Sequence, residues 1–398
     1  MRRTLTAAIG VCLLLAGCAR GPAAPQPGSP GPTGTPVPPA PPTSATRPAT
    51  PADGQTCLAR AEVLGIADQV GQLYMQAIQV GTPVETAVEQ LRASRAGAVI
   101  LLGNHYESVE QIAQYTEQLQ TAAPGIPVLV AVDQEGGQVQ RLQGPGFDTI
   151  APATEQGLLS DTELHQRWVA WGSQLASAGV NFNLAPVADV VPADQVGVNQ
   201  PVGVLQRGFG SETELVAGKV AAVVGGLAEA GVTSSVKHFP GLGQVNENTD
   251  FAVGHDYVST LSRAELAPFQ AAIDAGAGSV MVSSAIYTQV DPDNPAVFSE
   301  QIVTGILREQ LGFDGVVISD DLGVAASVAS YPVAERGINF LAAGGDMVIV
   351  ADAGATQTMV DATVALAETD PEFASQLAAK VARLLALKAS VGLLDCQS

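Results

Sequence analysis

In the stretch Val316-Val-Ile-Ser-Asp-Asp321, a short apolar run ends in two carboxylates, and this pattern of an apolar run followed by polar residues recurs along the chain. Val316–Ser319 is rich in β-branched residues and has no alternating polar positions, which is typical of a parallel strand buried on both faces. In parallel α/β barrels, the residues at the carboxyl ends of the strands carry function. Asp320 and Asp321 are therefore candidates for a site at the end of a buried strand.

Similar apolar runs recur along the chain and are separated by amphipathic stretches, such as Glu163 to Ala178 and Glu212 to Ala230. Seven strand-like units, with an eighth expected, predict an α/β fold that closes into a (β/α)₈ TIM-type barrel. An open doubly wound sheet is the alternative, although no Gly-x-Gly-x-x-Gly follows an early strand. The other runs are 98–102, 128–132, 180–184, 232–236, 279–282 and 347–350.

Polar residues follow these runs, and in a barrel they would converge on one pocket. Their mixture of acids, amides, a lysine and a histidine suits a neutral ligand with many hydroxyl groups, such as a sugar. The net charge of −21 and the lack of a basic cluster exclude nucleic acid as a partner. The strand-end groups are Asn104-His105, Asp133-Gln-Glu135, Asp189, Lys237-His238, Ser283-Ser284 and Asp320-Asp321.

The two acids of the opening stretch are expected to differ in role. Asp320 is the candidate nucleophile, because a carboxylate at a strand end can attack an anomeric carbon and form a glycosyl-enzyme. Capping of the next helix is the alternative for either residue, and Asp321 is the one expected to cap.

Asp133 and the pair Lys237-His238 are candidates for binding a sugar. The glycines that follow Asp133-Gln-Glu135 allow the backbone to approach a ligand closely. Lys237 is not expected in the core, because lysine is almost never buried unpaired. The alternative for this pair is a structural ion pair with Asp133 or Glu135, and Glu135 is expected to order its loop or to pair with a cation.

Four segments of the chain carry a family resemblance. Residues 306–323, Ile-Leu-Arg-Glu-Gln-Leu-Gly-Phe-Asp-Gly-Val-Val-Ile-Ser-Asp-Asp-Leu-Gly, resemble the active-site signature of glycoside hydrolase family 3. Residues 132–141, 237–241 and 295–299 resemble the branch of β-N-acetylglucosaminidases that act on peptidoglycan fragments. The resemblance extends from about residue 60 to residue 390.

The resemblance implies a retaining β-N-acetylglucosaminidase, or β-N-acetylhexosaminidase, that removes terminal GlcNAc from muropeptides or related glycans. It implies no metal or organic cofactor, a covalent intermediate on Asp320, and substrate binding by five residues. A β-glucosidase of the same family and a non-catalytic sugar-binding lipoprotein are the alternatives. The five residues are Asp133, Arg141, Arg207, Lys237 and His238; from the residues alone, either arginine could equally be a solvated surface charge.

The flap after Lys237-His-Phe-Pro-Gly241 departs from this branch. In the branch it carries Asp-Ser-His or Asp-Thr-His, whose histidine is the acid/base, but here the same positions are Asn248-Thr249-Asp250. We expect Asp250 to replace the histidine, because a dry site beside Asp320 would raise its pKa. A contribution from His255, or unassisted departure of the leaving group, is the alternative. A second carboxylate would also repel phosphate, which favours water as the acceptor.

The N-terminal region has the pattern of a bacterial lipoprotein. Residues 1–17 combine a basic start with a short apolar run, and Leu-Ala-Gly-Cys18 resembles a lipobox in which Cys18 is lipidated. Residues 18–55 are Pro/Gly-rich and predict a disordered linker, which leaves 56–398 as the catalytic barrel. We expect an extracytoplasmic monomer held at the membrane by its lipid anchor alone, with an ordinary secretory signal as the alternative.

Two cysteines remain in the predicted barrel. Cys57 and Cys396 lie at its two ends, and an exported protein meets oxidising conditions. The sequence therefore predicts a disulfide that joins them.

Overall fold

The computed structural model describes residues 51–123 and 125–397. The predicted signal peptide (1–17), the lipidation site Cys18 and residues 18–50 of the predicted linker lie outside the described residues. The linker prediction was wrong at its C-terminal end, because a helix begins at Pro51. Proline is favoured at the first position of a helix, and this helix packs against the C-terminal one.

Eight parallel strands form a closed barrel in which each strand pairs with its neighbours in chain order. The predicted (β/α)₈ barrel is therefore confirmed. The strands are β1 (Tyr74–Gln79), β2 (Ala98–Leu102), β3 (Leu129–Val132), β4 (Phe182–Asn183), β5 (Thr233–Phe239), β6 (Ser279–Val282), β7 (Val316–Asp321) and β8 (Met347–Val350).

Helices surround the barrel and bury their apolar faces against it. They are α1 (Pro51–Glu62), α2 (Ile66–Gln72), α3 (Val84–Ser94), α4 (Val109–Ala122), α5 (Ala153–Gln156), α6 (Asp161–Ser177), α7 (Thr213–Glu229), α8 (Ala267–Asp274), α9 (Val333–Ala342), α10 (Ala353–Thr369) and α11 (Pro371–Ser390), with a π-helix at Gln301–Gln310 and 3₁₀ turns at Ala296–Phe298 and Ala326–Val328. Among the helices of the described ranges, none has the length and apolar character needed to cross a bilayer.

The first strand, β1, is the one that the apolar pattern did not locate. Gln76 and Gln79 interrupt its apolar run, yet Gln76 is fully buried in the structure. Tyr74 begins the strand, and its hydroxyl group hydrogen-bonds to Thr363 Oγ1 (2.7 Å) on α10. Tertiary contacts with the outer helices therefore complete a strand that local hydrophobicity leaves ambiguous.

Two strands are longer than predicted, and this changes where functional residues lie. β5 continues to Phe239 and β7 to Asp321, so Lys237, His238 and Asp320 belong to the last residues of strands and not to the loops behind them. Side chains on a strand are held more rigidly than side chains on a loop.

The two ends of the described chain are joined covalently. Cys57 on α1 and Cys396 behind α11 form a disulfide, with Cα atoms 4.9 Å apart and a sequence separation of 339 residues. Nearby, Arg60 Nη1 donates a hydrogen bond to the carbonyl oxygen of Asp395 (2.8 Å). The disulfide and this hydrogen bond hold the N-terminal helix against the end of the barrel.

Candidate active site

A cavity of about 600 Å³ opens at the carboxyl ends of the strands. The structure brings all seven residues that the sequence marked for catalysis or sugar binding to this one cavity. Apolar side chains, among them Leu102, Leu184 and Met281, form most of the remaining wall. The seven residues are Asp133, Arg141, Arg207, Lys237, His238, Asp250 and Asp320.

A buried cluster of charges forms one side of the cavity. Lys237 is only 2% exposed, and its Nζ donates to Asp133 Oδ1 (2.5 Å) and lies 2.6 Å from Glu135 Oε1. Arg207 meets Glu135 with two parallel hydrogen bonds of 2.8 Å, the geometry that suits guanidinium and carboxylate groups. The ion pair considered as the alternative for Lys237 is therefore present, and Lys237 still faces the cavity.

The protonation states in this cluster follow from competition between burial and charge. Burial opposes ionisation of Glu135, but the charges of Arg207 and Lys237 outweigh it and hold the pKa of Glu135 well below its usual range. Burial would likewise lower the pKa of Lys237, but Asp133 and Glu135 raise it above its ordinary value. Glu135 is therefore the shared anion that keeps two cations in place.

His238 is oriented by Asp189, a residue to which the sequence assigned no role. Asp189 is fully buried; its Oδ2 lies 2.8 Å from His238 Nδ1, and its Oδ1 accepts hydrogen bonds from the backbone N–H groups of His238 (3.2 Å) and Leu242 (2.8 Å). Arg207 Nη2 lies 3.3 Å from the other ring nitrogen, Nε2. These contacts favour a proton on Nδ1 and fix the plane of the ring.

Arg141 approaches the cavity from the loop behind β3. Its Nη1 donates to Asn104 Oδ1 (3.2 Å), and its backbone N–H donates to Gln134 Oε1 (3.0 Å). Arg207, in contrast, is occupied by Glu135 and by the carbonyl oxygen of Pro201. Arg141 is therefore the guanidinium with more hydrogen-bonding capacity left for a ligand.

The two acids at the end of β7 differ in their hydrogen bonds. Asp321 accepts hydrogen bonds from four backbone N–H groups, those of Gly323, Val324, Ala325 and Ala351. Within the described ranges, Asp320 accepts only one, from the N–H of Asp321 (2.9 Å). The Asp320 carboxylate therefore retains most of its capacity for a ligand.

The expected helix cap at Asp321 was wrong in its details. The next helical turn, Ala326–Val328, begins after Ala325, and Asp321 is too early to cap it. Asp321 instead binds the loop at 323–325 and the end of β8, because its strand brings the carboxylate level with those amides. It orders the backbone around Asp320.

The flap, residues 241–254, is anchored at its base and at its tip. Asn199 is fully buried, and its Nδ2 donates to the carbonyl oxygens of Leu242 and Val245 (both 2.7 Å) at the base. At the tip, the carbonyl oxygen of Asp250 accepts a hydrogen bond from the N–H of Ala326 (3.1 Å). The flap is thereby held across the cavity beside the loop that follows Asp320.

Asp250 is a carboxyl group whose surroundings make it a weaker acid than an exposed aspartate. Burial and the negative charge of Asp320 raise the pKa of Asp250 to about 6, although Arg207 and His238 act in the opposite direction. Its backbone N–H donates to Asn248 Oδ1 (3.0 Å), which stabilises the turn at the tip. Its side chain still reaches solvent through the open cavity, so a bound ligand would bury it further.

His255, the alternative proton donor, lies elsewhere. It begins a short strand, His255–Asp256, that pairs with Ile286–Tyr287, and its ring stacks on Tyr257 at 5.6 Å. His255 is absent from the cavity wall. Within the described part of the chain, no group of three or more His, Cys, Asp or Glu side chains is arranged to hold a metal ion.

A barrel whose pocket holds two carboxyl groups, one suited to attack and one to donate a proton, has the groups that glycoside hydrolysis requires. Comparison with known proteins agrees: residues 65–387 match the glycosyl hydrolase family 3 N-terminal domain. The chain belongs to this family and is a glycoside hydrolase.

Individual relatives are similar over most of the barrel. A β-hexosaminidase from Xanthomonas axonopodis pv. citri is 38% identical over 271 residues, which cover 65% of this chain and 78% of that protein. A β-N-acetylhexosaminidase from Beutenbergia cavernae, whose crystal structure is known, has 43% sequence identity to this chain, and the two structures superpose with a TM-score of 0.80. The match covers 82% of this chain and 99% of that chain. A family 3 β-N-acetylglucosaminidase from Paenibacillus sp. is 32% identical, with a TM-score of 0.76. That match covers 83% of this chain and 63% of the Paenibacillus chain.

Glu135 joins the two cations of the buried cluster, so Glu135→Gln should destabilise the protein strongly. Removing one partner of a buried ion pair costs about 3–5 kcal/mol, because the remaining charges stay buried. Thermal and denaturant unfolding would measure the loss. Glu117→Gln, on the exposed face of α4, is the matched control and should change stability by less than about 0.5 kcal/mol. Equal stability of the two variants would contradict this account of the cluster.

Proposed function

We propose that this protein is a retaining β-N-acetylhexosaminidase that hydrolyses terminal GlcNAc from peptidoglycan-derived fragments. The named activities of its relatives support the reaction class. The observation that carries the mechanism is that Asp250 and Asp320 line the same cavity, with the pKa of Asp250 raised to about 6. One carboxyl group is suited to donate a proton and the other to attack.

The first step forms a covalent intermediate. The Asp320 carboxylate attacks the anomeric carbon and forms a C–O bond to it, while the bond to the leaving oxygen breaks. The Asp250 carboxyl group donates its proton to that oxygen, and the leaving group departs as an alcohol. The glycosyl-enzyme ester on Asp320 and the Asp250 carboxylate remain.

The second step reverses the proton transfer. The Asp250 carboxylate accepts a proton from a water molecule while the oxygen of that water attacks the anomeric carbon. The ester bond to Asp320 breaks, the sugar leaves with its original β configuration, and both side chains return to their initial states.

The buried cluster, together with Arg141 and His238, binds the sugar that reacts. Asp133 and Arg141 offer an acceptor and donors to its hydroxyl groups, while Lys237, Arg207 and His238 complete a rigid polar wall. Because Glu135 and Asp189 hold these groups before any ligand arrives, little ordering accompanies binding.

The first test is turnover of an aryl β-N-acetylglucosaminide and of the matching aryl β-glucoside by the purified protein. We expect hydrolysis of the first to be much faster, with the β anomer as the initial product by NMR. Turnover of the glucoside alone would indicate a β-glucosidase. Binding of GlcNAc without turnover would indicate a sugar-binding lipoprotein.

Water is the proposed acceptor in the second step, so inorganic phosphate should not raise turnover. The Asp250 carboxylate left after the first step would repel a phosphate dianion, and Asp321 adds a further acidic group to the cavity wall while Asp320 is held as the neutral ester. Steady-state rates with phosphate and with sulfate at equal ionic strength should agree, and the product should be free sugar. A sharp increase with phosphate, or a sugar 1-phosphate product, would contradict this.

The enzyme is also proposed to act outside the cytoplasm as a monomeric lipoprotein attached through Cys18. The lipobox-like sequence supports this, and a disulfide between Cys57 and Cys396 suits an oxidising compartment. Fractionation of cells that express wild type or Cys18→Ser tests the anchor. Wild type should remain with membranes, and the variant should not; identical distributions would refute lipidation at Cys18.

A further inference from the structure

A shallow groove of about 590 Å³ adjoins the catalytic cavity. We call it the side groove; its walls include Val198, Gln200, Val204, Leu205, Asn248 and Phe251. Leu205, Asn248 and Phe251 also line the catalytic cavity, so the two spaces adjoin along these three residues.

The chemistry of the side groove differs from that of the cavity. Phe251 is 81% exposed, and Val198 and Val204 are about half exposed. No acidic or basic side chain among the described residues lines it, although the chain carries a net charge of −21. An exposed aromatic residue beside aliphatic ones is a surface that gains free energy from covering by an apolar group.

The walls of the side groove are held together before a ligand arrives. Asn199 Oδ1 accepts hydrogen bonds from the backbone N–H groups of Val202 (3.1 Å) and Gly203 (2.8 Å), in the loop that carries Val198 and Val204. Its Nδ2 donates to the base of the flap, which carries Phe251. One buried amide therefore fixes both walls, and the groove does not depend on ligand binding for its shape.

The location of Phe251 ties the side groove to the reaction. Phe251 directly follows Asp250, and its N–H donates to the carbonyl oxygen of Asn248 (2.9 Å) in the turn at the flap tip. Resting on the proposed function, in which Asp250 protonates the leaving oxygen, that oxygen lies at the flap tip, whose next residue, Phe251, lines both the cavity and the side groove. We propose that the side groove binds the leaving group through the apolar face of a ring, and that this ring is a second sugar.

Two substrates whose leaving groups are equally difficult to expel isolate the contribution of the side groove. Ethyl and 2-phenylethyl β-N-acetylglucosaminides release alcohols of similar acidity, so the difference in their kcat/KM reports binding of the ring. Wild type should prefer the 2-phenylethyl substrate by about tenfold, the magnitude of one good aromatic contact. A β-1,4-linked GlcNAc disaccharide compared with the methyl glycoside gives the corresponding ratio for a sugar ring.

Variants on the two walls test the assignment. Phe251→Ala on the flap and Val204→Ser on the opposite loop should each reduce the aromatic preference several-fold. Loss of the disaccharide preference as well would identify a site for sugar rings, and its retention a site for aryl groups. Tyr257→Ala removes an exposed aromatic residue outside the groove and should keep the wild-type ratios.

Failure of this inference and failure of the proposed function give different results. An active wild type with equal kcat/KM for the two alcohol glycosides, or wall variants that keep the wild-type ratios, would overturn the side groove alone. If the wild type hydrolyses no glycoside, the affinities of the same ligands, measured by calorimetry, show whether the groove binds a ring. If the 2-phenylethyl glycoside binds more tightly than the ethyl glycoside and Phe251→Ala loses this difference, the groove assignment stands and the proposed hydrolysis is refuted. If the two glycosides bind equally tightly, both the groove assignment and the proposed hydrolysis are refuted.

Discussion

Asp320→Asn should reduce kcat/KM by about 10⁴-fold or more, because an amide oxygen cannot form the covalent intermediate at a useful rate. The substitution preserves size, and its carbonyl oxygen can still accept the hydrogen bond from the N–H of Asp321. Folding should therefore remain intact, which circular dichroism and thermal unfolding would verify. The measurement is hydrolysis of an aryl β-N-acetylglucosaminide, with Asp361→Asn on the exposed face of α10 as the matched control.

A second variant identifies Asp320 chemically. In Asp320→Ala the cavity gains space where the carboxylate was, and added azide can attack the anomeric carbon directly. The expected product is an α-glycosyl azide, with the configuration inverted because one displacement replaces two. Retention of activity within about tenfold of wild type by Asp320→Asn would exclude this residue as the nucleophile.

Asp250→Ala should have an effect that depends on the leaving group. A poor leaving group needs a proton as its bond breaks, so its kcat/KM should fall by about 10²–10⁴-fold. A dinitrophenyl leaving group departs without assistance, and its kcat/KM should change little. The parameter kcat/KM is the informative one, because it reports the glycosylation step and excludes the later attack of water.

His255→Ala is the matched control for this experiment, since it tests the alternative donor. We expect no dependence on the leaving group for this variant, because His255 stacks on Tyr257 away from the cavity wall. A selective loss with the poor leaving group in His255→Ala, and none in Asp250→Ala, would transfer the acid role to His255. No selective loss in either variant would indicate unassisted departure.

The pH profile gives an independent measure of the same group. Burial and the charge of Asp320 raise the pKa of Asp250 to about 6, so the proton needed in the first step is present below that pH. For a poor leaving group, kcat/KM should fall as pH rises through about 6, by up to tenfold per pH unit. Asp250→Ala should lack this decline, and a variant that kept it would show that another group is responsible.

The local pattern of the chain was sufficient for the barrel. Seven apolar runs, six of them followed by polar residues, predicted strands that the structure contains, because a strand buried on both faces needs continuous apolar residues. β1 was not located, since Gln76 is accommodated only by its tertiary surroundings. The start of α1 was also missed, because composition outweighed the helix signal of Pro51.

In the candidate site, too, some features follow from the local sequence and others follow only from tertiary contacts. The side chains at the ends of strands and at the flap could be predicted from the sequence, because these positions depend on neighbouring residues. Which of these side chains pair follows from the closed barrel. Glu135 meets Arg207 across 72 positions, and Asp189 meets His238 across 49.

The physical reason is that charge and burial are set by distance in space. Lys237 is stable in the interior because the barrel brings Asp133, 104 positions away, and Glu135 to within 2.5 and 2.6 Å of its Nζ. The pKa of Asp250 is raised by burial and by the charge of Asp320, and the fold supplies both. The chain therefore carries its catalytic groups as local motifs, whereas their ionisation, orientation and the side groove beside them arise only when the barrel closes.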